Sequence, residues 1–142
     1  MNRSKSYYNW EKRLRGLYNS WHGMMRRCYN PKHSFYQDYG GRGIKVCKEW
    51  KDFHKFLVDM KPTWKKELTL ERINNSADYS KENCCWATRK EQANNRRNNR
   101  FITYNDETKT LAQWISYFNL KGSTVRQRYY IYKWSLDRCF ER

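Results

Sequence analysis

The chain has 142 residues, with 30 Lys and Arg against 14 Asp and Glu, a formal net charge of +16. That length buries one modest core, or a few small modules sharing contacts. The charge calls for a polyanionic partner, nucleic acid before an acidic membrane surface, and an 18% aromatic content excludes a disordered basic chain.

The segment from Met1 to Arg13 shows no apolar signal region, and no apolar run nears the ~20 residues of a membrane span. The expected location is the cytoplasm, without membrane contact. Five cysteines, an odd number without framework spacing, fit a reducing compartment.

A first helix is predicted from about Trp10 to Tyr29, with Leu14, Leu17, Trp21, Met24 and Cys28 at helical spacing. Arg13, Arg15, Arg26 and Arg27 fall on its other faces, and Asn30-Pro31 ends it. Gly40-Gly41-Arg42-Gly43 follows a polar connection. Backbone N–H groups of such a turn can approach a phosphate, with Arg42 adding charge; a plain tight turn is the alternative. Ile44 to Cys47 alternates like a short strand. A second helix is expected to place Trp50, Phe53, Leu57 and Met60 on one face and to stop before Pro62.

From residue 67 to about 100 the pattern is strand, loop, strand, helix. Thr69-Leu70-Glu71 forms the first run and Cys84 to Ala87 the second. Thr88 and Glu91 make a Thr-x-x-Glu capping box that opens a helix. Asn83 lies where it can tie down the loop. Phe101 to Tyr104 and Lys109 to Leu111 flank a hairpin turn at Asn105-Asp106-Glu107. A helix then carries Leu111, Trp114, Ile115 and Phe118 inward. After a turn over Asn119 to Gly122, Ser123 is expected to N-cap a further helix, with Val125 and Tyr129 inward and Arg126, Gln127 and Tyr130 outward. This is the grammar of a helix-turn-helix.

Leu70-Glu71-Arg72-Ile73-Asn74-Asn75, Tyr79, Asn83 to Thr88, Glu91-Gln92 and Asn95-Arg96-Arg97 together resemble the HNH nucleases of the ββα-metal or His-Me finger class. They resemble in particular a phage-borne subgroup. The likeness extends upstream to Trp21, Met24, Arg27 to Pro31 and Tyr39 to Ile44, and so covers most of the chain. The segment from Thr110 to Phe140 resembles the C-terminal DNA-binding repeats appended to phage and intron-encoded HNH nucleases.

The resemblance implies an α+β fold: a small ββα-metal finger at 67–100, an N-terminal basic helical segment at 1–66, and a hairpin with a helix-turn-helix module at 101–142. By position, Glu71 takes the place of the family's acid, Arg72 of its histidine, Asn83 of its asparagine and Gln92 of its helix ligand. Glu71, Arg72 and Asn83 are the candidate catalytic residues, and Glu71 and Gln92 the candidate metal ligands. Two positions depart from an active HNH site. Arginine does not serve as a base near neutral pH, and a glutamine amide is a weaker metal ligand than histidine. Arg72 either holds the scissile phosphate or marks a finger that has kept phosphate binding and lost catalysis. Asn83 reads as a loop brace more than as a ligand. His22, His33 and His54 read as structural or exposed.

A divalent ion, Mg²⁺ or Mn²⁺, is the implied cofactor. Zinc is disfavoured, because no C-x-x-C knuckle is present and adjacent Cys84-Cys85 rarely serve one tetrahedral ion. Arg42, Arg89, Asn95, Arg96, Arg97 and Arg100 suit phosphate and groove contacts. Thr124, Arg126, Gln127 and Arg128 start the presumed recognition helix, where Arg and Gln read guanine and adenine edges.

The implied function is metal-dependent nicking or cutting of duplex DNA, by a monomer or homodimer at the nucleoid of a bacterial host. The alternative is a non-catalytic HNH scaffold that binds DNA or a host protein and regulates or inhibits it. An RNA-binding role through stacked aromatics is a weaker third.

Overall fold

The computed structural model describes the backbone of residues 5–142 and the side chains of residues 12–142. The fold is α+β, with helices and, among the described residues, two antiparallel two-stranded sheets. It divides into two compact units, Met1–Gln92 and Ala93–Arg142. Among the described residues no helix is long and apolar enough to cross a membrane.

In the first unit, α1 spans Lys5–Tyr29. It starts before the expected Trp10, since no helix breaker stands between Lys5 and Asn9, and it stops ahead of Asn30-Pro31. Leu14, Leu17, Met24 and Cys28 are buried, as their spacing requires. The second helix, α2, spans Phe53–Met60. Trp50 lies outside it, in a 3-10 turn over Glu49–Lys51. Asp52 separates the two elements: its backbone is extended and its side chain accepts from the His54 N–H at 2.8 Å. That cap resets the helical phase. Phe56 and Met60 are therefore the buried residues of α2, and Phe53 and Leu57 flank them.

Ile44 to Cys47 keeps the expected alternation, with Ile44 and Val46 buried and Lys45 exposed. It does not form a strand. It makes one parallel bridge, Val46 to Tyr79, because the facing chain is a loop that offers a single residue in register. Two strands follow, β1 (Thr69–Arg72) and β2 (Cys84–Ala87), paired antiparallel with Glu71 opposite Cys85. Helix α3, Arg89–Asn94, comes next. The capping box forms: Thr88 N–H donates to Glu91 at 2.6 Å and Glu91 N–H to Thr88 Oγ at 3.3 Å. The Thr88 N–H and the Thr88 hydroxyl, both donating to the Glu91 carboxylate, hold it below its usual range.

Residues on both sides of position 66 enter one core. Tyr79, Cys84, Leu70 and Trp86 pack with the apolar faces of α1 and α2. The large rings also satisfy their single polar atoms. Trp21 Nε1 donates to the Trp50 carbonyl at 2.7 Å, Trp50 Nε1 to Asp59 at 2.8 Å, and Trp86 Nε1 to the Met60 carbonyl at 2.6 Å.

The second unit opens its core with a hairpin, β3 (Phe101–Tyr104) and β4 (Glu107–Thr110). Its loop is two residues rather than three. Asn105 and Asp106 both take positive φ, 49° and 62°, the conformation that matches the twist of flanking strands. Helix α4, Leu111–Tyr117, starts at a Thr110–Gln113 capping box. Helix α5, Gly122–Arg126, is preceded by Lys121 as N-cap. Ser123 is thus already inside the first turn and makes no capping bond, in contrast to the expectation from sequence. A π-helical turn over Gln127–Ile131 continues from α5, and α6 (Leu136–Phe140) closes the unit. Trp114 is fully buried at the centre and donates from Nε1 to the Ile102 carbonyl at 2.9 Å. Leu111, Val125, Cys139 and Phe140 surround it.

One glycine is fixed by close approach. A Cβ on Gly40 would lie 2.0 Å from the carbonyl oxygen of Cys28 on α1. Gly43, at φ 86°, has open space around it and needs only its left-handed backbone. Gly40→Ala is expected to lower unfolding free energy by about 3 kcal/mol, since rigid backbone must move. Gly43→Ala should cost only about 1 kcal/mol. Denaturant midpoints check the difference, and equal losses would refute the contact.

Candidate functional site

A polar cleft of about 290 Å³ opens beside β1. Glu71 and Arg72 line it from the strand, Gln92 from α3, Arg27 from α1, Tyr39 from the turn before Gly40, and Tyr79 from the β1–β2 loop. Three of the residues singled out by sequence therefore share one cavity.

Alternation along β1 sends neighbouring side chains to opposite faces. Arg72 turns inward and is 5% exposed, whereas Glu71 is half-exposed. The Arg72 guanidinium carbon lies 5.0 Å from the Tyr39 ring centre and 4.9 Å from that of Tyr79. Its Nη1 donates to the Ala77 carbonyl at 2.9 Å. The two rings are nearly parallel, 16° apart, with centres 6.4 Å apart. A second arginine uses the same pair. Arg27 lies 5.1 Å over Tyr39 and donates from Nη2 to the Tyr79 hydroxyl at 3.3 Å. Its Nε is buried and makes no hydrogen bond among the described residues. Desolvated cation–π contacts of this kind are worth ~2 kcal/mol each. Burial pushes the Tyr79 hydroxyl up to about 12, against the opposing pull of Arg27 and Arg72, so it stays protonated.

Asn83, Arg42 and Arg89 fall outside the cleft, and Gln92 enters it from α3. Asn83 stands outside the cleft and braces the loop: Oδ1 accepts from Asn74 N–H at 2.9 Å, and Nδ2 donates to the carbonyls of Asn74 at 3.1 Å and Asp78 at 2.9 Å. Gln92 Nε2 donates to the Leu70 carbonyl at 3.4 Å, which ties α3 to β1 and leaves the amide oxygen as its acceptor. Arg42 is exposed and donates to the Asp38 carbonyl at 3.1 Å, and the N–H groups of Arg42 and Gly43 bond within their own turn. Arg89 is exposed on α3.

In the second unit, Arg96, Arg97 and Arg100 are exposed and Asn95 is half-buried. Asn94 and Asn99 serve the fold: Thr110 Oγ donates to Asn94 at 3.0 Å, and Asn99 to the Ala93 carbonyl at 2.7 Å. Arg126 and Gln127 are exposed and Thr124 half-buried. Arg128 clamps the chain end, donating to the Glu141 carbonyl at 2.6 Å and lying 5.5 Å from the Trp134 ring.

Among the described residues no histidine lines the cleft. His22 stacks on Tyr18, His33 Nδ1 accepts from Phe35 N–H, and His54 is exposed on α2. Nor do three or more His, Cys, Asp or Glu side chains gather as a metal cluster among the described residues.

Sequence reasoning missed Arg27 as a cleft residue. The signal was present: Ser20 and Arg27 are seven apart on α1, hence on one helical face, and both line the cavity.

Comparison of the chain with protein-family models, with curated proteins and with solved structures finds no match.

The thiols around the site differ sharply. Burial pushes Cys28 up to about 11 and Cys84 up to about 12. Cys85 is exposed on β2, raised by partial desolvation and then by Glu71 and Glu91. A thiol-exchange reagent at about pH 8 is expected to modify Cys85 first and to reach Cys28 and Cys84 only on unfolding. Loss of the fast phase in Cys85→Ser checks this assignment.

Proposed function

We propose that the protein binds duplex DNA and hydrolyses a phosphodiester held in the cleft, as an HNH-like endonuclease. The observation that carries this reading is the convergence of Glu71, Gln92, Arg27 and Arg72 on one polar cavity in a strongly basic chain. Guanidinium groups match phosphate oxygens in geometry and charge. Arg27, which lines the cleft from α1, is the phosphate holder in this reading. Arg72, fixed by Ala77 and two rings, raises the positive potential behind it.

The donor set for a divalent ion is the Glu71 carboxylate and the Gln92 amide oxygen. A hard cation at a phosphate site takes one or two carboxylates and completes its shell with substrate oxygens and water. Two guanidiniums against one carboxylate disfavour a resident cation, so the set fits Mg²⁺ or Mn²⁺ arriving with the phosphate. Such an ion supplies charge stabilisation and a water of lowered pKa. Glu71 would hold and orient it, and Gln92 would complete the protein's share.

In the second unit, α4, the following turn and α5 serve as a helix-turn-helix in this reading. Arg126 and Gln127 supply donors for base edges, and Arg96, Arg97 and Arg100 supply phosphate contacts.

A second reading, DNA binding without hydrolysis, is favoured by Arg72. The residue in the place of the family's base is locked by a carbonyl and two rings, and it cannot take a proton from water.

Supercoiled plasmid with Mg²⁺ or Mn²⁺ separates the two. Under the first reading wild type nicks the plasmid, Glu71→Ala does not, and Arg27→Ala nicks on the order of a hundredfold more slowly. Salt-sensitive binding without nicking leaves the second reading standing alone. In either case Arg27→Ala is expected to weaken duplex binding about tenfold and to lower the salt slope by about 1. Arg126→Ala should weaken preference for one sequence while Arg97→Ala weakens all duplexes alike; indistinguishable effects would refute that division.

A further inference from the structure

The tip of the second unit's π-helical turn presents consecutive large side chains to solvent. Tyr130 is 40% exposed, Ile131 71% and Tyr132 52%. π-turns are rare and concentrate at functional sites, and an isoleucine this exposed between two tyrosines gains nothing for the fold. The tip is nonetheless braced. Gln127 Nε2 donates to the Tyr132 hydroxyl at 2.9 Å, and the Tyr132 ring lies 5.6 Å from Trp134. Trp134 in turn sits 4.2 Å from the Arg138 guanidinium. Lys133, at φ 54°, reverses the chain immediately after the tip. Apolar side chains held this way meet a partner at little ordering cost.

Charge selects the partner. From Lys121 to Trp134 the chain carries Lys121, Arg126, Arg128 and Lys133 and no acidic residue. A polyanion with an apolar interior satisfies both features, and duplex DNA offers stacked bases behind its phosphates. We infer that Tyr130, Ile131 and Tyr132 form a wedge that enters the base stack of bound duplex DNA, with the flanking cations on the phosphates. Partial unstacking by Ile, Leu or Phe wedges kinks and unwinds a duplex. The inference rests on the DNA-binding part of the proposed function and is independent of hydrolysis.

The test uses the full chain and a closed circular plasmid, relaxed by a metal-independent topoisomerase in the presence of chelator, so that no nicking intervenes. Duplex affinity is measured in parallel by anisotropy. Wild type is expected to lower the linking number in proportion to protein bound. Ile131→Ser, at a position too exposed to matter for folding, should lower that change about threefold per bound molecule. Tyr132→Phe, which keeps the ring and loses the brace, should fall between. Binding by wild type with an unchanged linking number overturns the wedge and leaves DNA binding intact. Absence of duplex binding at low salt overturns both. A change in self-association on Ile131→Ser, with unwinding as in wild type, assigns the tip to a second copy of the chain and also overturns the wedge.

Discussion

Tyr79 is the residue on which the first unit depends. Its main chain bonds to both sides of Val46, through Cys47 N–H to the Tyr79 carbonyl and Tyr79 N–H to the Lys45 carbonyl, each at 2.9 Å. Its ring packs against Tyr39 and Arg72, and its hydroxyl accepts from Arg27. One loop residue thus joins the strand pair, the glycine turn and α1. Without it the β1–β2 loop would have no hold on the helical half, and the two arginines would lose the surface that lets them be buried. A buried guanidinium is costly unless its donors and its charge are matched, and Tyr79 supplies a share of both.

This arrangement explains why the cleft is basic and yet ordered. Arg27 and Arg72 would repel each other across open solvent-free space. Ring faces between them, a hydroxyl and the Ala77 carbonyl distribute that charge over acceptors. Arg27 and Arg72 both line the cavity that Glu71 and Gln92 help to shape. The proposed phosphate follows from the charge of the lining: two guanidiniums and one carboxylate share the cavity. The second unit is organised differently. Trp114 fills its centre, and Arg128, which sequence placed among the base-reading residues, also donates to the Glu141 carbonyl.

Much of the architecture was legible. The apolar spacing of α1, the Thr88–Glu91 box and the inward face of α4 each rest on local rules and appear as read, and the hairpin forms with its loop shortened to Asn105-Asp106. The misses are also local in origin. Asp52 capped α2 and shifted its buried face to Phe56, Lys121 rather than Ser123 preceded α5, and Ile44 to Cys47 found no strand to pair with. In the site, Glu71, Arg72 and Gln92 were placed by resemblance, while Arg27 and Tyr39 were not, because a helix and a glycine turn must fold back onto the strand before they meet it.

The sequence by itself determined the charge, the helix and strand periods, the turn chemistry and the candidate acid at Glu71. These depend on residue type and on spacings of a few positions. Only the tertiary structure decided that Arg72 is buried rather than exposed, and that Arg27, forty-five positions before Arg72, shares its rings. Burial and long-range pairing depend on which surfaces pack together, and no short-range spacing encodes that.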